Sequence, residues 1–236
     1  MLLSFFSKAK ENHMIKVALF LALTSSAFSL FAQTCLLEKD TLSAQYQVTI
    51  KQDNKTITAQ NFTLYRHDSV VAYQYKEQGK TELWQHYQDD KVALNRYFDK
   101  QQRGIEYQPN ELRAAVNWQE KYQLISDEKI AQMTKVTQVG SDCYQQSEYS
   151  LVEEGSTIRL TWLPKLKLIK RLQVTHGKNV KIWQLNTLDH EQAQVLAFFK
   201  QKDSYQSTDY ADIGDNEDDP FLAKMINQGF IEHLPH

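Results

Sequence analysis

Cysteine, proline and glycine are all scarce in this chain: two, four and seven among 236 residues. Two cysteines cannot form the dense disulfide framework of a small secreted domain. Neither Cys35 nor Cys143 sits in a Cys-x-x-Cys or beside a histidine, so zinc binding and redox catalysis have no motif. Seven glycines provide no Gly-rich loop for a phosphate, and Gly-x-Ser-x-Gly is absent; Gly140-Ser141-Asp142 reads as a turn. His67, His86, His176, His190, His233 and His236 are scattered, and no pair of carboxylates stands out for glycoside chemistry. A basic excess is missing too. The chain carries a formal charge of −2, and without its first 32 residues 24 basic residues face 28 acidic ones, a charge of −4. That balance argues against nucleic acid, which demands a basic stripe, and against electrostatic docking on an anionic membrane.

Long apolar runs are also lacking. Val17 to Leu23 is the main one, well short of the roughly 20 residues of a spanning helix. Lys16 precedes it and small residues, Thr24 to Ala27, follow, which is the charged, apolar and small-residue order of a secretory signal. Residues 1–32 are therefore expected to be a signal peptide, cleaved after Ser29 or Ala32, with Met14 as its more ordinary start; an uncleaved anchor is the alternative. Ala32-Gln33-Thr34 before Cys35 lacks the pattern of a bacterial lipoprotein signal. The expected location is the periplasm of a Gram-negative type of envelope. There an even pair of cysteines is most simply a disulfide, Cys35 to Cys143, against the alternative of two buried thiols.

What the chain does have is alternation. Tyr46, Val48 and Ile50 alternate with polar neighbours at the period-2 spacing of a half-buried strand, and Asp53-Asn54-Lys55 supplies a turn. Ile57 and Ala59 then give way to Phe62 and Leu64 on the opposite parity, which predicts a β-bulge or bend near Gln60-Asn61. Val71 to Tyr75, Leu83 to Tyr87, Val92 to Phe98 and Ile105 to Tyr107 continue the meander up to Pro109. Leu83 beside Trp84, and Tyr97 beside Phe98, must point to opposite faces of the sheet. Either one face contacts covering helices while the other lines a cavity or a second sheet, or the aromatics sit half exposed at strand ends.

From Asn110 the spacing of Leu112, Ala115, Val116, Trp118, Tyr122 and Ile125 predicts an amphipathic helix, with a second short one over Glu128 to Met133. The first reads as a lid over a cavity or as a plug in the core. Strands resume at Val136 and run through Tyr144 to Val152, Ile158 to Trp162, Leu166 to Val174 and Val180 to Leu188. Lys165, Lys167, Lys170, Arg171 and Lys178 mark a basic strand, read as an edge protected by lysines or as a dock for an acidic partner. Asp189 with Gln192 predicts a capped helix carrying Val195, Leu196, Phe198 and Phe199, and Asp219-Pro220 opens a last short helix. Asp203 to Asp219 holds seven acidic residues and no basic ones. Asp212, Asp215 and Glu217 around Gly214 are its candidate cation ligands, but their spacing departs from a calcium loop, and a solvated acidic linker is the plainer reading.

The expected fold is α+β, mostly antiparallel β: a curved, unclosed β-barrel or half-barrel with helices over its concave face. The expected segments are 33–202, the meander with its helices, and 203–236, the acidic stretch and terminal helix. This order of elements, with Trp162-Leu163-Pro164 closing a strand, resembles the bacterial outer-membrane lipoprotein carrier superfamily (LolA/LolB-like) over Thr41 to Leu188. The acidic tail and the two cysteines depart from that family's pattern. The resemblance implies an unclosed barrel with an apolar concave side and carriage of acylated molecules through the periplasm. The function expected is non-enzymatic binding of a lipid-like or other apolar ligand, without a cofactor. Trp84, Phe98, Trp118, Tyr122 and Trp162 are the candidate ligand contacts, and a filled-core envelope protein acting through protein partners is the alternative. The disulfide is checked by digesting the purified protein without reductant. A peptide linking Cys35 to Cys143 is expected, and two free thiols would refute the pairing.

Overall fold

The computed structural model describes residues 37–112, 114–216 and 218–227. The expected signal segment, Cys35, Glu217 and the tail with His233 and His236 lie outside them. From Thr41 the chain forms β1 (Thr41–Gln52), β2 (Lys55–His67), β3 (Val70–Tyr75), β4 (Lys80–His86), β5 (Val92–Phe98) and β6 (Arg103–Tyr107). Two short helices follow, α1 (Trp118–Gln123) and α2 (Asp127–Ala131). Then come β7 (Thr134–Val139), β8 (Gln146–Glu153), β9 (Ser156–Leu163), β10 (Leu168–His176) and β11 (Asn179–Asp189). The chain continues through α3 (Gln192–Asp203), β12 (Gln206–Asp209) and α4 (Pro220–Asn227).

All twelve strands join one mostly antiparallel sheet, in the order β12-β6-β5-β4-β3-β2-β1-β11-β10-β9-β8-β7. It does not close, because β12 and β7 are its two ends. β12, which has no apolar alternation to announce it, pairs in parallel with β6. Tight turns set the registers. Asp53 and Asn54 between β1 and β2, and Glu154 and Gly155 between β8 and β9, all have positive φ, as a two-residue hairpin requires.

Four expectations need correction. The bulge in β2 falls at Ile57, where Ile50 pairs with Thr58 but Lys51 with Thr56, three residues before Gln60. The basic strand β10 is not an edge; it lies between β9 and β11. The helix expected from Asn110 is confined to the six residues of α1, since Asn117 caps it by accepting from the Glu120 N–H and Leu124 ends it with a φ of 67°. Leu112 and Val116 still pack on the core, but from irregular chain. Asp189 likewise ends β11 instead of starting a helix, and its carboxylate accepts from the Glu191 N–H at 2.8 Å just before α3. The cap at Asp219 is as expected: its Oδ1 accepts from Phe221 N at 2.8 Å.

The alternation of side chains separates two cores. Leu42, Leu64, Val71, Trp84, Leu94 and Leu160 belong to a large cluster on one face, here the Trp84 face. Ala72, Leu83 and Tyr97 point the other way and meet Val195, Phe198 and Phe199 of α3, with Tyr65 stacked on Phe198 at 3.7 Å. The sheet's longest helix therefore packs on the face opposite Trp84. Lys202 of α3 is 1% exposed there and donates to Asp99 at 2.5 Å. Gly104 lets the Tyr97 ring lie flat in this layer, as a Cβ on it would stand 2.9 Å from Tyr97 Cε1.

Arg66 ties the Trp84 face to what surrounds it. It is 0% exposed and spends its guanidinium on backbone carbonyls. Nε donates to Tyr122 of α1 at 2.7 Å, Nη1 to Leu166 at 2.8 Å, and Nη2 to Lys167 at 2.6 Å. The plane also lies 4.1 Å from the Tyr122 ring centroid. Burial lowers its pKa, opposed by Tyr122, Tyr46, Tyr73 and Asp40 nearby. Arg66→Met removes the fork and strands buried carbonyls, so it is expected to cost about 3 kcal/mol or more. Urea denaturation checks this, and a loss under about 0.5 kcal/mol would show the contacts to be incidental.

Candidate functional site

The Trp84 face has two halves of different character. Over β2 to β6 it is filled. Trp84 is 1% exposed, Val71 and Leu94 are 0%, and Tyr73 is 6%. Charge is buried among them: Glu82 is 6% exposed and Arg96 5%, joined at 3.4 Å. Lys121 of α1 holds its ammonium 3.9 Å over the Trp84 ring, and burial lowers its pKa against the pull of Glu82. The Tyr73 hydroxyl donates to the Lys121 carbonyl, so α1 is fastened to this half by both Tyr73 and Arg66.

Over β1, β11, β10, β9 and β8 the same face carries two apolar rows in register. One row reads Val48, Trp183, Leu172, Leu160, Tyr149 across the five strands. The next reads Ile50, Lys181, Val174, Ile158, Leu151. Four interstrand spacings make each row ~19 Å long. Leu172, Leu160 and Ile158 are buried, but Val48, Trp183, Val174, Tyr149 and Leu151 are half-buried, and Ile50 is 39% exposed. On β2 the rows end at polar residues, Gln60 opposite Val48 and Thr58 opposite Ile50. The result is a strip of apolar side chains with water along part of its length and a polar border.

The five candidate contacts are dispersed. Trp84 and Trp162 lie in the core at 1% and 5% exposure. Phe98 is half-buried with its ring 5.2 Å from Phe221 of α4, edge to face. Trp118 and Tyr122 come together, 5.9 Å apart, and line an open groove of about 490 Å³ with Lys39, Asp40, Gln119 and Lys167. Most of its lining residues are polar or charged, and the Tyr122 hydroxyl meets the Asp40 carboxylate. A second groove, about 400 Å³, lies by Arg159, Arg171, Thr161 and Glu148, and a third, about 240 Å³, by Gln45, Asn61 and Lys76. Each has charged groups in its wall.

Sequence reasoning did not single out Trp183, Lys181, Val174 or Leu151. The alternation of Lys181, Trp183 and Leu185 was visible, but only the pairing of β11 with β1 sets Trp183 beside Val48. Asp212 and Asp215 are exposed in a 3₁₀ segment, Tyr210–Asp215, and Glu217 is outside the described residues. Among the described residues no helix is long and apolar enough to cross a membrane. Cys143 is 6% exposed.

No family model matches the chain, and no curated protein matches it. Among solved structures, PNGF-II is similar at a TM-score of 0.40 and 9% identity, covering 75% of this chain and 32% of that one. This chain therefore spans about a third of the length of PNGF-II. The Mycobacterium tuberculosis lipoprotein LppX is similar at a TM-score of 0.28 and 7% identity, covering 62% of this chain and 86% of that one. Likenesses this slight are a weak structural resemblance and carry no functional assignment.

Proposed function

We propose that this protein is an exported, periplasmic, non-enzymatic binding or carrier protein for a lipid-like ligand, whose apolar part lies along the strip from Val48 to Tyr149. The observation that carries the reading is the pair of registered apolar rows, half-exposed at Val48, Ile50, Trp183 and Val174. Apolar side chains left in water on a face that elsewhere forms a core are the usual mark of a surface that something else covers. The filled half around Trp84 and Arg66 gives that strip a fixed backing. In this proposal a disulfide between Cys35 and Cys143 further ties the mature N-terminus to the 3₁₀ turn after β7.

A second reading has one observation in its favour. All six residues of the end strand β7 are exposed, Val136 to 64% and Val139 to 52%. An edge of that kind accepts a strand from a protein partner, which is how an envelope protein acting through protein contacts would work.

Titration of the purified protein with a fluorescent fatty acid separates the two. Saturable binding is expected, weakened about tenfold by Trp183→Gln or Ile50→Asn, since each removes about 1–2 kcal/mol of apolar contact. Circular dichroism should report both variants folded. Unchanged affinity in both, or no binding by the parent, would set the carrier reading aside in favour of the β7 edge.

A further inference from the structure

Lys181 is the one charged side chain within the two apolar rows. It is in register between Ile50 of β1 and Val174 of β10 and shares its face with Trp183, two residues on. It is half-buried, and its ammonium lies 4.5 Å from the centroid of the Trp183 ring. Several other lysines have a carboxylate within reach: Lys39 has Asp40, Lys80 has Glu82, Lys129 has Glu153, Lys167 has Asp127, Lys178 has Asp53 and Lys202 has Asp99. Lys121 has Glu82 nearby. Among the described residues no carboxylate pairs with Lys181. Desolvation alone acts on its pKa, downward, with no opposing charge.

A cation drawn partly out of water and given no counter-charge loses solvation that only a ring face repays in part. An anion brought in beside it restores what burial removed, and does so in a partly dry setting where the hydrogen bond is charge-assisted. An acyl chain along the rows would put its own polar end within reach of that ammonium. Resting on the carrier reading above, we propose that Lys181 selects the headgroup: the ligand is a single-chain amphiphile with an anionic head, a carboxylate or a phosphate, received by the ammonium of Lys181 while its chain lies against Val48, Trp183 and Val174.

The test compares three probes of one chain length on the purified protein: a fatty acid, a lysophosphatidic acid and the neutral fatty alcohol. The parent is expected to bind at least one anionic probe about tenfold more tightly than the alcohol. In Lys181→Met that preference should vanish, and Lys181→Arg should keep it. Preference for the acid alone assigns a carboxylate head, and for the lysophosphatidic acid alone a phosphate head. Binding of all three probes alike by the parent, or a preference that survives Lys181→Met, would overturn the headgroup assignment and leave the carrier reading standing. Failure of every probe to bind would remove both.

Discussion

A buried arginine holds this structure to one shape. Arg66 sits on β2, shielded from solvent, and donates hydrogen bonds to the carbonyls of α1 and of the turn between β9 and β10. Those partners are 56 and 100 residues away in sequence. A guanidinium holds five donors in one rigid plane and can satisfy several carbonyls together, where an ammonium has three on a flexible stem. Its desolvation is costly, so a state in which these carbonyls move away is disfavoured by the charge itself. The contact fixes α1 and the β9–β10 turn over the same part of the sheet.

That constraint explains why one face has two characters. Around Arg66, Tyr73, Trp84 and Lys121 the space is taken by the chain's own side chains and by α1. Farther along, on β1, β11 and β10, the rows through Val48 and Ile50 continue the same apolar pattern with part of it left to water. The longest helix, α3, is committed to Ala72, Leu83 and Tyr97 on the other face. A filled half thus adjoins a half-exposed strip, and the proposed binding there would need little reorganisation.

Much of the strand content could be read directly. The period-2 runs at Tyr46 to Ile50, Val71 to Tyr75 and Ile158 to Trp162 became β1, β3 and β9, and the split between Leu83 and Trp84 put them in separate cores. What failed was the reading of spacing without partners. Leu112, Ala115 and Val116 have helical spacing, but Asn117 caps the helix late and the tight turn at Gln108 to Glu111 holds the earlier chain irregular. β12 was invisible because Gln206 to Asp209 is polar, and its place comes from backbone pairing with β6. The strip was illegible for the same reason: Val48 and Trp183 are far apart in sequence, and only long-range register sets them side by side. Aromatics drew attention to Trp84 and Trp162 instead, and large side chains are as often core as contact.

The central claim is that the strip on β1, β11 and β10, and not the filled half, receives an acyl chain. Nuclear Overhauser effects between a bound fatty acid and methyl-labelled protein test it most directly. The account predicts cross-peaks from the acyl methylenes to the methyls of Val48, Ile50 and Val174. Cross-peaks confined to Val71, Leu94 or the α3 side at Val195, with none to those three, would contradict it.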